Sequence, residues 1–465
     1  MKNIFLLVCF VAGASQILFA THNRGGEITY RHIQGYEYEI TITTYTKAAA
    51  FSADRPSLDS VHFGDGTDGS FVRLSELVIY GDIKINKYVL NHTYCGPGTY
   101  KIFFVDPNRT EGVQNMTTSV DKPFCLESYL TVFDPSLYCV NNSVLVTYPI
   151  FFAQKNRTFL HNINAQDKDH DSLSYELISC MQSPGAPVPG YFLPGDFSIS
   201  PVSGLMKWNP LAADADGEYS FAVKVSEWRK GFRIGYIIRD FQINLNSYSD
   251  TLNVFSPLSF SQDASGNYYT YVNPGDTVNM HVVYYESNAS TPFAAGSAEA
   301  NSMTNPPAVF YTFNTGTVTI DLTWIPDSAK QRAHPYSFVF RGGNSMRQQD
   351  LTVLVYVSGT RADSCPDFIL PVPCTDSVPA VETFSFIIFP NPMSESAVVR
   401  IKHAPAGAGI NVYNAIGQLV KQIKNISSGE TAIYRESLAR GVYFVCVVVQ
   451  KEIFASKKMT LMYEK

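Results

Sequence analysis

Charge is scarce in this 465-residue chain. Only 16% of its residues are Asp, Glu, Lys or Arg, and cations are in the minority, with 35 Lys and Arg against 41 Asp and Glu for a formal net charge of −6. A nucleic-acid binder normally carries a basic face, so no nucleic-acid partner is expected. Long apolar runs are missing beyond the N-terminus. The longest, Val442 to Val449, has eight residues, far short of the ~20 a membrane-spanning helix needs, so no transmembrane span is expected. No segment sustains a 3.6-residue apolar stripe through three turns, which speaks against helical domains. The sequence has no C-x-x-C, which removes zinc ribbons and thioredoxin-like motifs. It also has no H-E-x-x-H, no G-x-S-x-G and no Walker A motif, so it is not expected to be an enzyme. Gly407-Ala-Gly409 lacks the β-α-β surroundings of a dinucleotide loop, and the nine His residues lack ligand spacing.

Aromatic and β-forming residues are plentiful: 28 Tyr and 31 Phe accompany many Val and Thr. In Tyr36 to Thr46 the apolar residues Tyr36, Tyr38, Ile40 and Ile42 alternate with Glu37, Glu39, Thr41 and Thr43. That is the period of a half-buried antiparallel strand, and with Glu27 to Ile33 across Gln34-Gly35 it forms a hairpin. Short strands between turn residues continue along the chain, which predicts an all-β protein built of tandem sandwiches. Trp208-Asn-Pro210, Tyr219-Ser-Phe221 and Arg239-Asp240-Phe241 are echoed in order by Trp324-Ile-Pro326, Tyr336-Ser-Phe338 and Gln349-Asp350-Leu351. Self-similarity in fixed order predicts two related units, with Trp208 and Trp324 in equivalent places.

The N-terminus has a basic Lys2, an apolar stretch from Ile4 to Ala14 and a small Ala20. This is the layout of a secretory signal peptide over residues 1–20. Export permits disulfides. Seven cysteines follow Cys9, so at least one stays free. Cys365 and Cys374 flank a short Pro-rich loop and are the expected local pair, while Cys446 sits in an alternating strand and is expected as a buried thiol.

Family resemblances refine this outline. Phe389-Pro-Asn-Pro392, Ile410-Asn-Val-Tyr-Asn414, Gly417-Gln-Leu-Val420, Leu438-Ala-Arg-Gly-Val-Tyr-Phe444 and Lys457-Lys-Met459 follow one another in an order that resembles the type A C-terminal sorting domain of the type IX secretion system of Bacteroidota. The resemblance covers residues 384–465 and implies a small Ig-like sandwich read as an export signal. Ala20 to Tyr30, Asp106-Pro-Asn-Arg109, Phe159-Leu-His-Asn162, Asp171 to Leu177, Glu227-Trp-Arg229 and Arg239-Asp-Phe-Gln242 are similar to a family of secreted proteins of the same bacteria, many of them associated with gliding motility or surface adhesion. Phe63-Gly-Asp-Gly-Thr67 with His92-Thr-Tyr94 is similar to the PKD-type Ig-like module. There the Gly-Asp-Gly turn is tight and Tyr94 is placed to brace the sandwich. The implied organisation is a PKD-like sandwich at 21–135, cadherin-like sandwiches at 136–248 and 249–360, a Pro-rich linker at 361–383 and the sorting domain at 384–465.

Asp167-Lys-Asp169-His-Asp171 resembles the acidic loop of cadherin-like modules. Alternate carboxylates on one extended loop can converge on calcium, which takes six to eight oxygens, with Glu218 or Asp216 as a completing ligand. Lys168 and His170 stand where small residues usually let such a loop bend. Asp followed by Ser or Thr and then an aliphatic or similar residue recurs at Ser60, Ser172, Thr251, Thr277, Ser328 and Ser377, resembling the O-glycosylation acceptor of exported proteins in these bacteria; Asp-Ser and Asp-Thr also simply favour turns. The expectation is a secreted or cell-surface, non-catalytic adhesive or structural protein. Its partners are the type IX secretion machinery and a surface, glycan or protein ligand. A carbohydrate-binding module is the main alternative. A cryptic extracellular hydrolase is the third, because paired glycosidase carboxylates come from distant positions.

Overall fold

The computed structural model describes residues 23–48, 55–79, 82–247, 252–255, 260–286, 293–295, 300, 303, 306–344, 347–359, 365, 385–402, 404, 407–414, 418–427, 429–449 and 452–462. The expected signal peptide, Thr251, Cys374 and Ser377 lie outside them. The elements described are β-strands plus two short 3-10 turns, Ser119–Asp121 and Ser328–Lys330. The protein is all-β, a series of Ig-like sandwiches.

The N-terminal hairpin joins Asn23–Gln34 to Glu37–Lys47 across Gly35, whose φ of +50° suits glycine. Tyr38, Ile40 and Ile42 are fully buried, as their alternation requires. They share a core with Phe71, Tyr94, Tyr100 and Leu126. The Phe63–Thr67 turn is held by Asp65, whose Oδ1 accepts from the Thr67 amide at 3.0 Å and the Thr67 hydroxyl at 2.6 Å, while Oδ2 meets His92 Nε2 at 2.7 Å. Tyr94 donates its hydroxyl to the Phe63 carbonyl at 3.3 Å and stacks on Tyr100. It therefore braces the turn, as the motif implies.

The first two sandwiches share one eleven-stranded sheet. Its spine is the fifteen-residue strand Phe232–Asn246. This strand pairs with Gly217–Arg229 in its own sandwich, with Phe124–Val132 of the first, and with Asn23–Gln34 through Gly26 and Asp240. The crossing requires glycine. A Cβ on Gly25 would lie 2.3 Å from the Asp240 carbonyl oxygen, and one on Gly26 would lie 2.4 Å from that of Thr43. Separate apolar cores nonetheless fill each sandwich, around Trp208, Phe221 and Phe241 in the second and around Trp324, Phe338 and Val353 in the third.

The internal echo is structural. Trp208 closes the strand Leu205–Trp208 and packs on Tyr219 and Phe221 at 5.2 and 5.6 Å. Trp324 closes Thr317–Trp324 and packs on Tyr336 and Phe338 at 4.9 and 5.1 Å. Residues 385–462 form two facing sheets of their own, three strands and four, over a core of Val399, Ile410, Val445 and Met459.

The cysteine pairing corrects the local expectation. Cys365 bonds to Cys139, 226 residues away, and not to Cys374. Cys95 is also in a disulfide. Cys125, Cys180 and Cys446 are buried free thiols. Burial pushes the Cys446 thiol up to about 11 and Cys125 up to about 12, which keeps both inert as nucleophiles.

Candidate functional site

Buried polar groups concentrate where sandwiches meet. Arg109, from the loop after Gly98–Asp106, forks onto Asp240 with Nη1 to Oδ1 at 3.1 Å and Nη2 to Oδ2 at 2.7 Å, both side chains being buried. One residue earlier on the spine, Arg239 donates to Glu27, which also accepts from Tyr45 at 2.9 Å. Buried pairs of this kind cost about as much to desolvate as they return, but losing one partner costs about 3–5 kcal/mol. They fix how the first two sandwiches sit.

The acidic loop lies on this same seam. Asp167 Oδ1 accepts from the amides of Asp169 and Asp171 at 2.8 and 3.0 Å. His170 takes a left-handed φ of +65°, so the loop bends without a small residue there. Asp169 accepts from the Asn142 amide at 2.6 Å and from its side chain at 2.8 Å. Asp171 is gripped by Arg229, Nε at 2.8 Å and Nη2 at 2.7 Å. One oxygen from each of the three aspartates falls within 4.8 Å of the others.

A fourth carboxylate, missed from the sequence, couples electrostatically to the cluster without joining the oxygens that converge. Glu227 is fully buried, accepts from the Val144 amide at 2.6 Å and the Tyr30 hydroxyl at 3.1 Å, and interacts electrostatically with Asp167 and Asp171. Its position in the Glu227-Trp-Arg229 strand, two residues from the clamping arginine, is the signal that could have found it. Glu218 and Asp216 serve elsewhere: Glu218 pairs with Arg24 at 2.6 Å, and Asp216 pairs with Lys155 at 2.9 Å.

Four carboxylates against one guanidinium leave a formal charge of −3. The electrostatics register the excess. Burial, then repulsion from Asp171 and Asp169, pushes Asp167 well above the usual carboxylate range. Burial and repulsion from Asp167 and Asp171 do the same to Glu227. Asp167 is 8% exposed, yet its Oδ2 has no hydrogen-bond partner among the described residues, and neither has Oδ1 of the buried Asn141. Such orphaned oxygens are costly unless something cationic or protonated meets them. An all-oxygen, multi-carboxylate donor set fits a hard divalent cation.

The second and third sandwiches interlock through Asp350, the echo counterpart of Asp240. Its Oδ2 accepts from the Asn162 amide at 2.8 Å and meets His161 Nδ1 at 2.9 Å, while Arg341 donates Nε to Oδ1 at 2.7 Å. Burial lowers His161 to about 4 despite its bond to Asp350. For Asp350, burial pushes up, but Arg341 and His161 hold it down to about 2. A histidine lowered from 6.5 keeps its full stabilisation above pH 6.5 and loses it as pH falls toward 4. The fully buried ring should thus cost about 3 kcal/mol across that window. The loss should show as the difference between thermal melts of wild type and His161→Gln at stepped pH. His334, which burial lowers to about 3, contributes a comparable loss in both chains, and the raised Asp167 and Glu227 contribute the opposite slope in both. A variant profile parallel to wild type would contradict this.

Of the described glycosylation candidates, Ser60, Thr277 and Ser328 are exposed, whereas Ser172 is half-buried, 3.3 Å from His334 Nδ1.

In the C-terminal sandwich Asn391 explains its motif. Its side chain accepts from the Thr460 amide and donates to the Lys458 carbonyl, both at 2.8 Å, stitching the segment after Ser385–Phe389 to the last strand. Tyr443 donates to the Ala439 carbonyl at 2.6 Å, closing the Ala-Arg-Gly turn. Residues 387–461 match the family model described as a secretion system C-terminal sorting domain. Beta-agarase A of Zobellia galactanivorans is 35% identical over 65 residues, which span 14% of this chain and 12% of that protein. Solved structures with some similarity include a complex of Dpr2 Ig1-Ig2 with DIP-Theta Ig1-Ig3, at 9% identity and TM-score 0.16 over 71% of this chain and 99% of that one. Another is the BSP domain of a biofilm associated protein, at 11% identity and TM-score 0.14 over 95% and 96%. At these scores neither carries an argument about the present chain. Among the described residues no helix is long and apolar enough to cross a membrane. The C-terminal segment is a type IX secretion sorting domain, and the protein is secreted to the cell surface or the extracellular space.

Proposed function

We propose that the protein is a non-catalytic adhesive or structural component of the bacterial surface, its body a calcium-braced stack of sandwiches. The observation that carries the adhesive reading is an aromatic edge of the third sandwich. On the edge strand Ala308–Asn314, Phe310, Tyr311 and Phe313 are 66%, 40% and 55% exposed. Rings turned to solvent in such numbers suit contact with a partner. The body behind them is stiffened by the shared sheet and by the buried Asp240 and Asp350 clasps, as a stalk under shear needs. A PKD-like first unit, cadherin-like second and third units and a gliding-motility setting all accord with this reading.

Calcium is proposed at Asp167, Asp169 and Asp171, with Glu227 adding its charge without ligating. It would neutralise the excess charge and supply a partner for Asp167 Oδ2, fastening the second sandwich to the segment 139–144 that leads out of the first. A carbohydrate-binding role is the second reading, favoured by Tyr269, Tyr271 and Tyr356. Their rings are not coplanar, however: Tyr271 stacks on Tyr356 at 4.8 Å, and Tyr269 stands at 82° to Tyr271. They spend their faces on one another and do not present one flat platform. Deleting the gene should reduce retention of the producing cells on coated surfaces under flow. Unchanged retention would contradict the adhesive reading.

A further inference from the structure

The third sandwich leaves one of its sheets unfinished. The strand Ala308–Asn314 ends a four-stranded sheet, paired on one side with Thr317–Trp324, and among the described residues no strand pairs with its other side. Residues directly opposite in an antiparallel pair share a face of the sheet. Val309, Tyr311 and Phe313 stand opposite Leu322, Ile320 and Val318, all buried in the core. All three side chains therefore lie on the core side. Yet Tyr311 and Phe313 remain exposed and stack on one another. The apolar face of this sheet extends one strand beyond what the opposite sheet covers. Nor is the edge guarded. Edge strands commonly carry charge that deters further pairing, as Glu176 does on Ser172–Ile178 and Lys421 on Leu419–Ile423. Here no charged residue occurs between Glu299 and Asp321.

We propose that this edge pairs antiparallel with the same edge of a second copy, joining two third sandwiches through one continuous sheet. Pairing about a two-fold axis at Tyr311 sets Tyr311 against its own counterpart, Val309 against Phe313 and Phe310 against Thr312. Aromatic–aromatic and aromatic–β-branched pairs are the kinds that stabilise neighbouring strands. In such a pair each half of the strand faces the other half, so charge of one sign along it would meet its like. An uncharged strand is what self-pairing needs. The contact closes on itself and leaves no edge for a third chain. Backbone hydrogen bonds supply the affinity, and alternate side chains set the register. A seven-residue strand makes a small interface, which suits a weak contact made in number between crowded surfaces. The inference rests on the adhesive reading for its biological use and deepens it by naming the partner, the same protein on a neighbouring cell. The pairing itself stands on the edge strand alone.

The test is sedimentation velocity of the full mature chain across a concentration series, with hydrogen exchange at each concentration. The chain should pass from monomer to dimer, and amides of Ala308–Asn314 should gain protection as it does. Two double variants read the register. Phe310 and Thr312 stand opposite Asp321 and Thr319 on the outer face and are exposed, so changing them leaves the core intact. Phe310→Lys with Thr312→Lys sets like charges opposite one another at both symmetric pairs and should weaken the dimer about tenfold. Phe310→Lys with Thr312→Glu sets opposite charges there and should keep it. The proposal is overturned by a chain that stays monomeric throughout, by edge amides that exchange alike in monomer and dimer, or by a dimer that the two variants affect equally. Beads coated with the chain separate the two readings. Beads held on coated surfaces by a chain that stays monomeric in solution remove the edge pairing and keep the adhesin. A dimer with the stated charge dependence, on beads that flow sweeps away, does the reverse.

Discussion

A chain lacking residues 384–465 should fold, cross the inner membrane and stop in the periplasm, while the full-length chain reaches the surface. The effect is all-or-none, because it removes the recognised element and leaves the rest intact. The strands from Ser385–Phe389 to Glu452–Leu461 pair among themselves and bury their own core. Their loss therefore opens no sheet in the body. The same residues fused to a soluble reporter should carry it to the surface or medium. Cell fractionation reads both arms, and normal surface delivery of the truncated chain would contradict the role of the sorting domain. The stretch before it is rich in proline and short of strand formers, which makes it a good protease substrate. Cleavage should fall between about Thr375 and Phe384, so mass spectrometry of released protein should find Cys365 still bonded to Cys139 on the mature body.

Millimolar calcium should raise the unfolding midpoint of the mature chain, and Asp167→Asn should abolish most of the rise. A ligand present at a thousandfold its dissociation constant and bound only by the native state contributes about 4 kcal/mol. The effect should grow with pH. Asp167 and Glu227 have folded pKa values raised above their ordinary ones of 3.8 and 4.5. Without calcium the native state therefore holds more protons than the unfolded chain from about pH 4 upward, and stability falls as pH rises through the raised values. Calcium replaces those protons, so its stabilisation should be larger at pH 8 than at pH 5. Glu227→Gln should raise the calcium-free midpoint at pH 8 by removing one repelling charge, while weakening the response to calcium. A midpoint unmoved by calcium at pH 8 would leave the loop a polar turn clamped by Arg229.

What the sequence made legible was local. Alternation gave the strands of the first hairpin, Trp-x-Pro with Tyr-Ser-Phe gave two equivalent sandwiches, and the ordered motifs after Phe389 gave the sorting domain. What escaped was long-range pairing. Nothing near Gly26 announces Asp240, more than 200 residues away, because a strand edge carries no mark of its partner. A glycine pair there reads locally only as a turn. The disulfide was misplaced for the same reason: loop length favours Cys365–Cys374, but the fold brings Cys139 beside Cys365. Glu227 was hidden because nothing local marks it off from Glu218, the other acid of its strand, which pairs with Arg24. It couples to Asp167 only once the strands Ser172–Ile178 and Gly217–Arg229 are paired, which sets Ser172 opposite Trp228.

Retention of protein-coated beads under flow tests the central claim most directly. Beads carrying the mature chain, placed on polysaccharide- and protein-coated surfaces in millimolar calcium, should be held at shear that sweeps bare beads away. Chelating the calcium should release them. Coated beads that detach as readily as bare ones on every surface, with calcium present, would contradict the account.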